Sequence, residues 1–165
     1  MRVPIRKPGK YTHLKPDPCL TEEKFNELKD QLAKLKASQP AAADEVRRTA
    51  EMGDLSENAA YQIAKGRLRG INQRILDLQD HLNRVVIIKP AKNAEAVELG
   101  RRVTIEINGQ QITYLILGSE ETDPAQGIIS HHSPIGSALM GKKTGDAVKI
   151  NQKNKVIECR IIKVE

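Results

Sequence analysis

The sequence predicts an α+β protein: an antiparallel helical coiled-coil hairpin followed by a small antiparallel β-sheet domain with one helix. Three observations predict it. Apolar residues recur at steps of three and four through residues 20–85. A short acidic stretch containing Gly53 divides that run into two arms. After Arg101 the apolar period changes from about 3.5 to two. The 165 residues suit one medium domain or two small ones. Phe25, Tyr11, Tyr61 and Tyr114 are the aromatic residues and Trp is absent, so Leu, Ile, Val and Ala must supply the packing.

Charge separates the regions. Residues 1–19 carry five basic groups and one acid, residues 20–85 eleven of each, and residues 86–165 eleven basic and nine acidic, within a net charge of +6. The excess therefore lies mostly in the N-terminal segment. A basic tail suits nucleic acid or an acidic partner surface, and equally serves solubility. Cys19 and Cys159 are far apart and neither belongs to a CxxC pair, so a zinc site of that spacing is not expected. With no signal-like segment and no apolar run near 18 residues, the expectation is a monomeric cytoplasmic protein with reduced thiols and no membrane contact.

Residues 1–19 contain four prolines and little apolar periodicity, which predicts a flexible basic arm. Thr21-Glu22-Glu23-Lys24 then starts a helix, with Thr21 as its cap. Phe25, Leu28, Leu32, Leu35, Ala42 and Val46 form its apolar seam, polar once at Gln39. Pro40 falls inside the run, but the pattern resumes in phase, which predicts one bent arm rather than two helices. The second arm repeats the seam as Tyr61, Ala64, Leu68, Ile71, Ile75, Leu78, Leu82 and Val85. Its steps alternate three and four throughout, the mark of a helix packed along its length on a partner. The short connection makes the first arm that partner.

Residues 86–100 read as a linker and residues 101–165 as the second domain. Val103, Ile105 and Ile107 alternate with polar residues, Asn108-Gly109 turns the chain, and Ile112–Leu117 runs back. Gly127–Ser130 is a short strand. Ser133-Pro134 opens a helix with Ser133 as cap, and Val148–Ile150 and Val156–Val164 close the sheet.

The stretch 51–58, Glu51-Met52-Gly53-Asp54-Leu55-Ser56-Glu57-Asn58, is the hairpin tip. It holds three carboxylates in seven residues, and no Lys or Arg occurs between Arg48 and Lys65. A projecting acidic tip reaches places a globular surface cannot, and is a candidate for chemistry at a distance. Asp54 with Glu57 three residues on equally fits an acidic capping box for the second arm.

Two motifs then resemble the bacterial Gre transcript cleavage factor family, GreA/GreB. Gly53-Asp54-Leu55-Ser56-Glu57-Asn58-Ala59-Ala60-Tyr61 is similar to the family's G-D-x-x-E-N-A-[ED]-Y segment. Ser133-Pro134-Ile135-Gly136-Ser137-Ala138-Leu139-Met140, with Gly145-Asp146 following, is similar to its S-P-[IM]-[AG]-x-[AG]-L-[IL] segment. Pro40 matches a proline that many members carry. The resemblance implies a coiled coil that enters the secondary channel of RNA polymerase and an FKBP-like C-terminal domain that docks on the channel rim. It implies that the tip acids promote hydrolysis of the 3′ end of backtracked nascent RNA within the RNA- and DNA-containing elongation complex. Two departures stand out: Ala60 replaces an expected acid, and residues 1–19 have no counterpart in the best-known members. Leu55 is GreA-like while Arg67-Leu68-Arg69 and Ile71 are GreB-like, which leaves the subtype open.

On this resemblance Asp54 and Glu57 are both catalytic and Mg²⁺-holding candidates. Asp54 is favoured as ligand, with Glu57 orienting the attacking water or sharing the ion; a carboxylate general base is also open, and the individual roles are left open. Hydrated Mg²⁺ gives up water reluctantly, so the ion is held jointly with RNA polymerase and none is bound in isolation. The protein is then not an enzyme by itself but stimulates hydrolysis by the polymerase. Lys65, Arg67, Arg69 and Arg74 are candidates for contact with RNA or the channel wall, against the reading of a solvated helix face. Tyr61 is divided between base stacking and core packing. His131-His132 is expected to make a poor metal chelate, because neighbours on a strand face opposite ways. Prolyl isomerisation is not expected with Tyr114 as the domain's one aromatic residue. The alternatives are a non-catalytic channel binder that inhibits or modulates polymerase, and an arm that binds structured RNA directly.

Overall fold

The computed structural model describes residues 16–52, 58–89, 95–152 and 155–165. Residues 1–15, most of the expected basic arm, lie outside this range, as do 53–57 of the tip.

The first element among the described residues is a two-residue strand, β1 (Cys19–Leu20), after which the chain enters helix α1 (Glu22–Ala50). Thr21 caps it: its backbone is extended, and its hydroxyl accepts from the Lys24 N–H at 3.2 Å. Glu22 and Glu23 in the first turn and Arg47 and Arg48 in the last complement the helix dipole. α1 runs unbroken through Pro40. Pro40 and Lys36 are both exposed, so the Lys36 carbonyl freed by the missing N–H meets water. Leu35 and Ala42 on either side stay packed on the second arm, which holds the helix together across the proline.

Helix α2 (Ala59–Leu82) returns antiparallel. The seam lies where its spacing places it. Leu28, Ala42, Ala64 and Ile75 are buried, and Phe25, Leu32, Leu35, Val46, Tyr61, Leu68, Ile71, Leu78 and Leu82 are half-buried. Off-seam Ile63 and Leu76 are exposed. The polar seam position is satisfied across the arms, where Gln39 Nε2 donates to Asn72 Oδ1 at 2.8 Å. At 1.5 Å per residue α1 is about 43 Å long.

The hairpin closes at its base with a pairing the periodicity does not announce. Strand β2 (Val86–Ile87) pairs in parallel with β1, Cys19 opposite Val86 and Leu20 opposite Ile87. Val86 N–H donates to Pro18 O at 2.7 Å and Ile88 N–H to Leu20 O at 2.8 Å. Leu20 is fully buried. Residues 16–19, assigned to the flexible arm from composition, are thus part of the fold, and 86–87 of the expected linker form a strand.

The second domain is a five-stranded sheet in the order β5-β4-β3-β7-β6. Its strands are β3 (Arg102–Ile107), β4 (Gln110–Leu117), β5 (Ile128–Ser130), β6 (Ala147–Gln152) and β7 (Lys155–Val164). Asn108 and Gly109 both have positive φ, as a two-residue hairpin turn requires, and set Ile107 opposite Gln110. One expectation is corrected here. The sheet is mixed, not antiparallel throughout, because β5 pairs in parallel with β4. The ten residues between them fold into two short 3₁₀ turns, Ser119–Glu121 and Pro124–Gln126, long enough to bring the chain back to the same end of the sheet.

Helix α3 (Pro134–Leu139) is capped by Ser133, whose hydroxyl accepts from Gly136 N–H at 3.0 Å. It drives Leu139 into a core of Val97, Val103, Ile105, Ile116, Ile129, Val148, Ile150, Cys159 and Ile161. Val97, from the expected linker, is fully buried there and exchanges backbone hydrogen bonds with Gly141 and Lys142. Tyr114 packs at the edge of this aliphatic core.

Candidate functional site

The tip is defined by how the two helices end. α1 stops at Ala50, with Glu51 N–H bonded to Arg47 O at 3.3 Å and Met52 N–H to Thr49 O at 3.4 Å. Met52, the last described residue before the tip loop, is 74% exposed. α2 begins at Ala59 under the cap of Asn58, whose Oδ1 accepts from Tyr61 N–H at 3.0 Å. The same side chain reaches across: Asn58 Nδ2 donates to Thr49 O at 2.7 Å. One amide therefore caps α2 and satisfies a terminal carbonyl of α1. Thr49, buried beneath it, turns its hydroxyl back to Glu45 O and Val46 O.

This corrects the reading of Asp54 as cap of the second arm. That role belongs to Asn58, four residues later, because an amide supplies both the acceptor for Tyr61 and the donor for Thr49. A carboxylate supplies only the first. Asp54 and Glu57, the residues expected to be catalytic and to hold Mg²⁺, lie outside the described residues. The chain places them between Met52 and Asn58.

The other predicted residues are described. Tyr61 is half-buried on the seam, with Lys65 Nζ 5.6 Å from its ring centre. Lys65, Arg67, Arg69 and Arg74 are all exposed. Helical spacing sorts them into two pairs, Lys65 with Arg69 four residues apart and Arg67 with Arg74 seven apart. Arg67 is engaged within the hairpin, its Nη1 3.4 Å from Glu45 Oε2 on α1. Arg69 and Arg74 have no ion-pair partner among the described residues. Arg74 borders an open groove on the hairpin face with Gln31, Lys34, Leu35, Asp77, Leu78 and His81.

At the opposite end, the hairpin base meets the second domain through polar contacts that sequence reasoning missed. Thr21 donates both its N–H, at 2.8 Å, and its hydroxyl to Glu121. His81 is buried, its Nε2 3.4 Å from Asp17 O and 3.7 Å from Glu120 Oε1. The Asp17 side chain is 3% exposed. Its Oδ1 accepts from Cys19 N–H at 3.0 Å, and its Oδ2 from Ser119 N–H at 2.9 Å and Ser119 Oγ at 3.0 Å. Burial pushes its carboxyl up, but the Cys19 and Ser119 donors together with His131 outweigh burial and hold it below the ordinary aspartate range. Burial and the Asp17 charge raise the Cys19 thiol, and burial raises that of Cys159. The signal that was legible is Asp17-Pro18, an acid in a proline-rich segment otherwise basic.

Comparisons with known proteins cover both parts of the chain. Residues 19–87 match the family described as "Transcription elongation factor, N-terminal", and residues 92–165 match "Transcription elongation factor, GreA/GreB, C-term". Transcription elongation factor GreA of Thermomicrobium roseum is 37% identical over 149 residues, 88% of this chain and 96% of its own. Transcription elongation factor GreA of Nautilia profundicola is 38% identical over 136 residues, 80% of this chain and 84% of its own. Among solved structures, GreA factor homolog 1 (Gfh1) of Thermus thermophilus is 25% identical, with 89% of this chain and 97% of its own aligned at a TM-score of 0.40. Two matches that together span both arms and the sheet domain carry one conclusion: the chain belongs to the GreA/GreB family of transcription elongation factors.

Proposed function

We propose that this chain inserts its hairpin, tip first, into the secondary channel of RNA polymerase and there stimulates cleavage of the 3′ end of backtracked nascent RNA. The observation that carries this reading is the Asn58 bridge. Asn58 caps α2 and ties it to α1, so residues 53–57, which carry Asp54 and Glu57, join one fixed pair of helix ends.

Asp54 and Glu57 are an oxygen-only donor pair, which suits Mg²⁺ and suits sharing an ion already held elsewhere. A bound Mg²⁺ supplies charge neutralisation at the phosphate and a more acidic water. Asp54 is assigned to hold the ion jointly with polymerase and Glu57 to orient or deprotonate the attacking water. Exposed Lys65 and Arg69 lie within three turns of the tip, on the flank away from the Arg67–Glu45 pair, and are assigned to the RNA or the channel wall. The protein supplies carboxylates to an active centre built by its partner and is not an enzyme alone. The base and sheet domain are assigned to the channel rim.

The test is RNA cleavage in a stalled, backtracked elongation complex with Mg²⁺. Wild type should shorten the RNA. Asp54→Ala should lower the stimulated rate by about 10²–10⁴-fold while leaving polymerase binding within a small factor. Binding without cleavage by the wild type would overturn the catalytic reading in favour of an inhibitor. RNA affinity that is strong, steeply salt-dependent and independent of polymerase would favour the direct RNA-binding arm.

A further inference from the structure

The expectation that His131 and His132 face opposite ways fails, because β5 ends at Ser130 and the two histidines lie in the turn that follows. Their rings lie together, centroids 3.8 Å apart and tilted by 39°. Asp17, from the segment before α1, sits against both. Its Oδ2 is 3.6 Å from His131 Nδ1 and 4.0 Å from His132 Nε2. One nitrogen from each histidine and one carboxylate oxygen all lie within 4.8 Å of one another. Among the described residues this is the one place where three such ligands converge.

We propose that Asp17, His131 and His132 bind a borderline divalent transition ion, of which Zn²⁺ is the type, and that the ion clamps the hairpin base to the sheet domain. Four arguments support the site. First, the donor set is right: two imidazoles and a carboxylate suit Zn²⁺ and its neighbours, whereas Mg²⁺ and Ca²⁺ prefer oxygen alone. Second, the spacing is close: Zn²⁺ bonds near 2.0–2.1 Å put tetrahedral ligand atoms about 3.3–3.4 Å apart. The carboxylate oxygen is 3.6 Å from one imidazole nitrogen and 4.0 Å from the other, so a modest contraction brings the set to that spacing. His132, 71% exposed, is free to move in.

Third, the carboxylate is already positioned by backbone. Cys19 N–H holds Oδ1 and Ser119 N–H holds Oδ2, the kind of outer support that orients a metal ligand. When an ion takes Oδ2, the Ser119 hydroxyl keeps a partner, because Ser130 Oγ is 2.9 Å away. His131 Nδ1 gives up only a long contact, 3.3 Å to Leu117 O. Fourth, there is a path and room for water as a fourth ligand. Asp17 and His132 line an open cavity of about 890 Å³ with Pro16, Pro18, Arg84 and Ser119.

The full-length protein, stripped with chelator, is titrated with Zn²⁺ by calorimetry and with Co²⁺ by visible absorption, and melted with and without Zn²⁺. The expected result is saturation at one ion per chain, tetrahedral Co²⁺ bands, and a Tm raised by the ion but not by Mg²⁺. His132→Ala changes an exposed side chain and should fold. It should weaken Zn²⁺ binding by at least the roughly tenfold that loss of even an outer-shell partner costs. Asp17→Asn should lose the Tm response to Zn²⁺. Absence of stoichiometric binding by the wild type would overturn the site. So would binding that survives both substitutions, equal stabilisation by Mg²⁺, or a junction that responds to pH but not to the ion.

Discussion

At the scale of single residues, Asn58 and Asp17 do the joining at the two ends of the hairpin. Asn58 serves both helix ends with one amide. Asn58→Ala should cost about 0.5–2 kcal/mol, the usual cost of losing a helix cap. Asn58→Asp is the more informative change. It keeps the acceptor for Tyr61 N–H and removes the donor to Thr49 O, so α2 stays capped while the link to α1 is lost. Denaturant melts should show the aspartate variant nearer wild type than alanine, and the cleavage assay should show both variants impaired. Asp17 has a pH signature. Its folded-state carboxyl titrates below the unfolded value of about 3.9, so its contribution is complete above that value and is lost as pH falls through the lower, folded one. Asp17→Ala, in chelator, should lower stability at neutral pH by about 1–3 kcal/mol and flatten the acid limb of a stability–pH curve. An unchanged acid limb would count against the assigned hydrogen bonds.

At the scale of elements, α2 carries a local conflict with a readable consequence. Gly66 and Gly70 sit inside the helix, one turn apart, with nothing within 4 Å of where a Cβ would be. Nothing among the described residues requires glycine there. Gly66→Ala and Gly70→Ala should each stabilise the hairpin by about 0.5–1 kcal/mol, measured as a shift in the denaturant midpoint. If either variant also weakens polymerase binding, the bare face of α2 is a close-approach surface. The seam is the opposite case, where every described apolar position is buried or half-buried. Gln39, its one polar member on α1, bonds to Asn72 instead of being left unpaired, a pairing that fixes how far α1 slides along α2.

At the scale of the whole molecule, the hairpin base is pressed against the sheet domain at Gly118. A Cβ on Gly118 would lie 1.9 Å from the Cys19 carbonyl oxygen, a backbone atom that cannot swing aside. Gly118→Ala must therefore push β1 away from the domain, at a cost of about 1–3 kcal/mol for overpacking. The same variant should raise amide hydrogen exchange at Val86 and Ile88, whose N–H groups bond to the β1 segment. Protection unchanged at those amides would show that the domain tolerates the methyl without separating. The described part of the chain contains no helix long and apolar enough to cross a membrane.

Much of this architecture is legible in the residues because secondary structure has a period. Steps of three and four place the seam, alternation places β3, Asn108-Gly109 forces its turn, and Thr21 and Ser133 mark helix starts by a bond made within three residues. Those are local interactions, and their chemistry can be read along the chain. The family motifs at 53–61 and 133–140 are legible for the same reason. The junction is not. Asp17 meets Ser119 and His131 across more than a hundred residues, Gly118 meets Cys19, and β1 finds β2 across the whole length of the hairpin. The parallel pairing of β5 and the replacement of Asp54 by Asn58 as cap belong with these. Each depends on which backbone groups arrive opposite one another once the arms and the sheet have packed, and only the packed chain decides that.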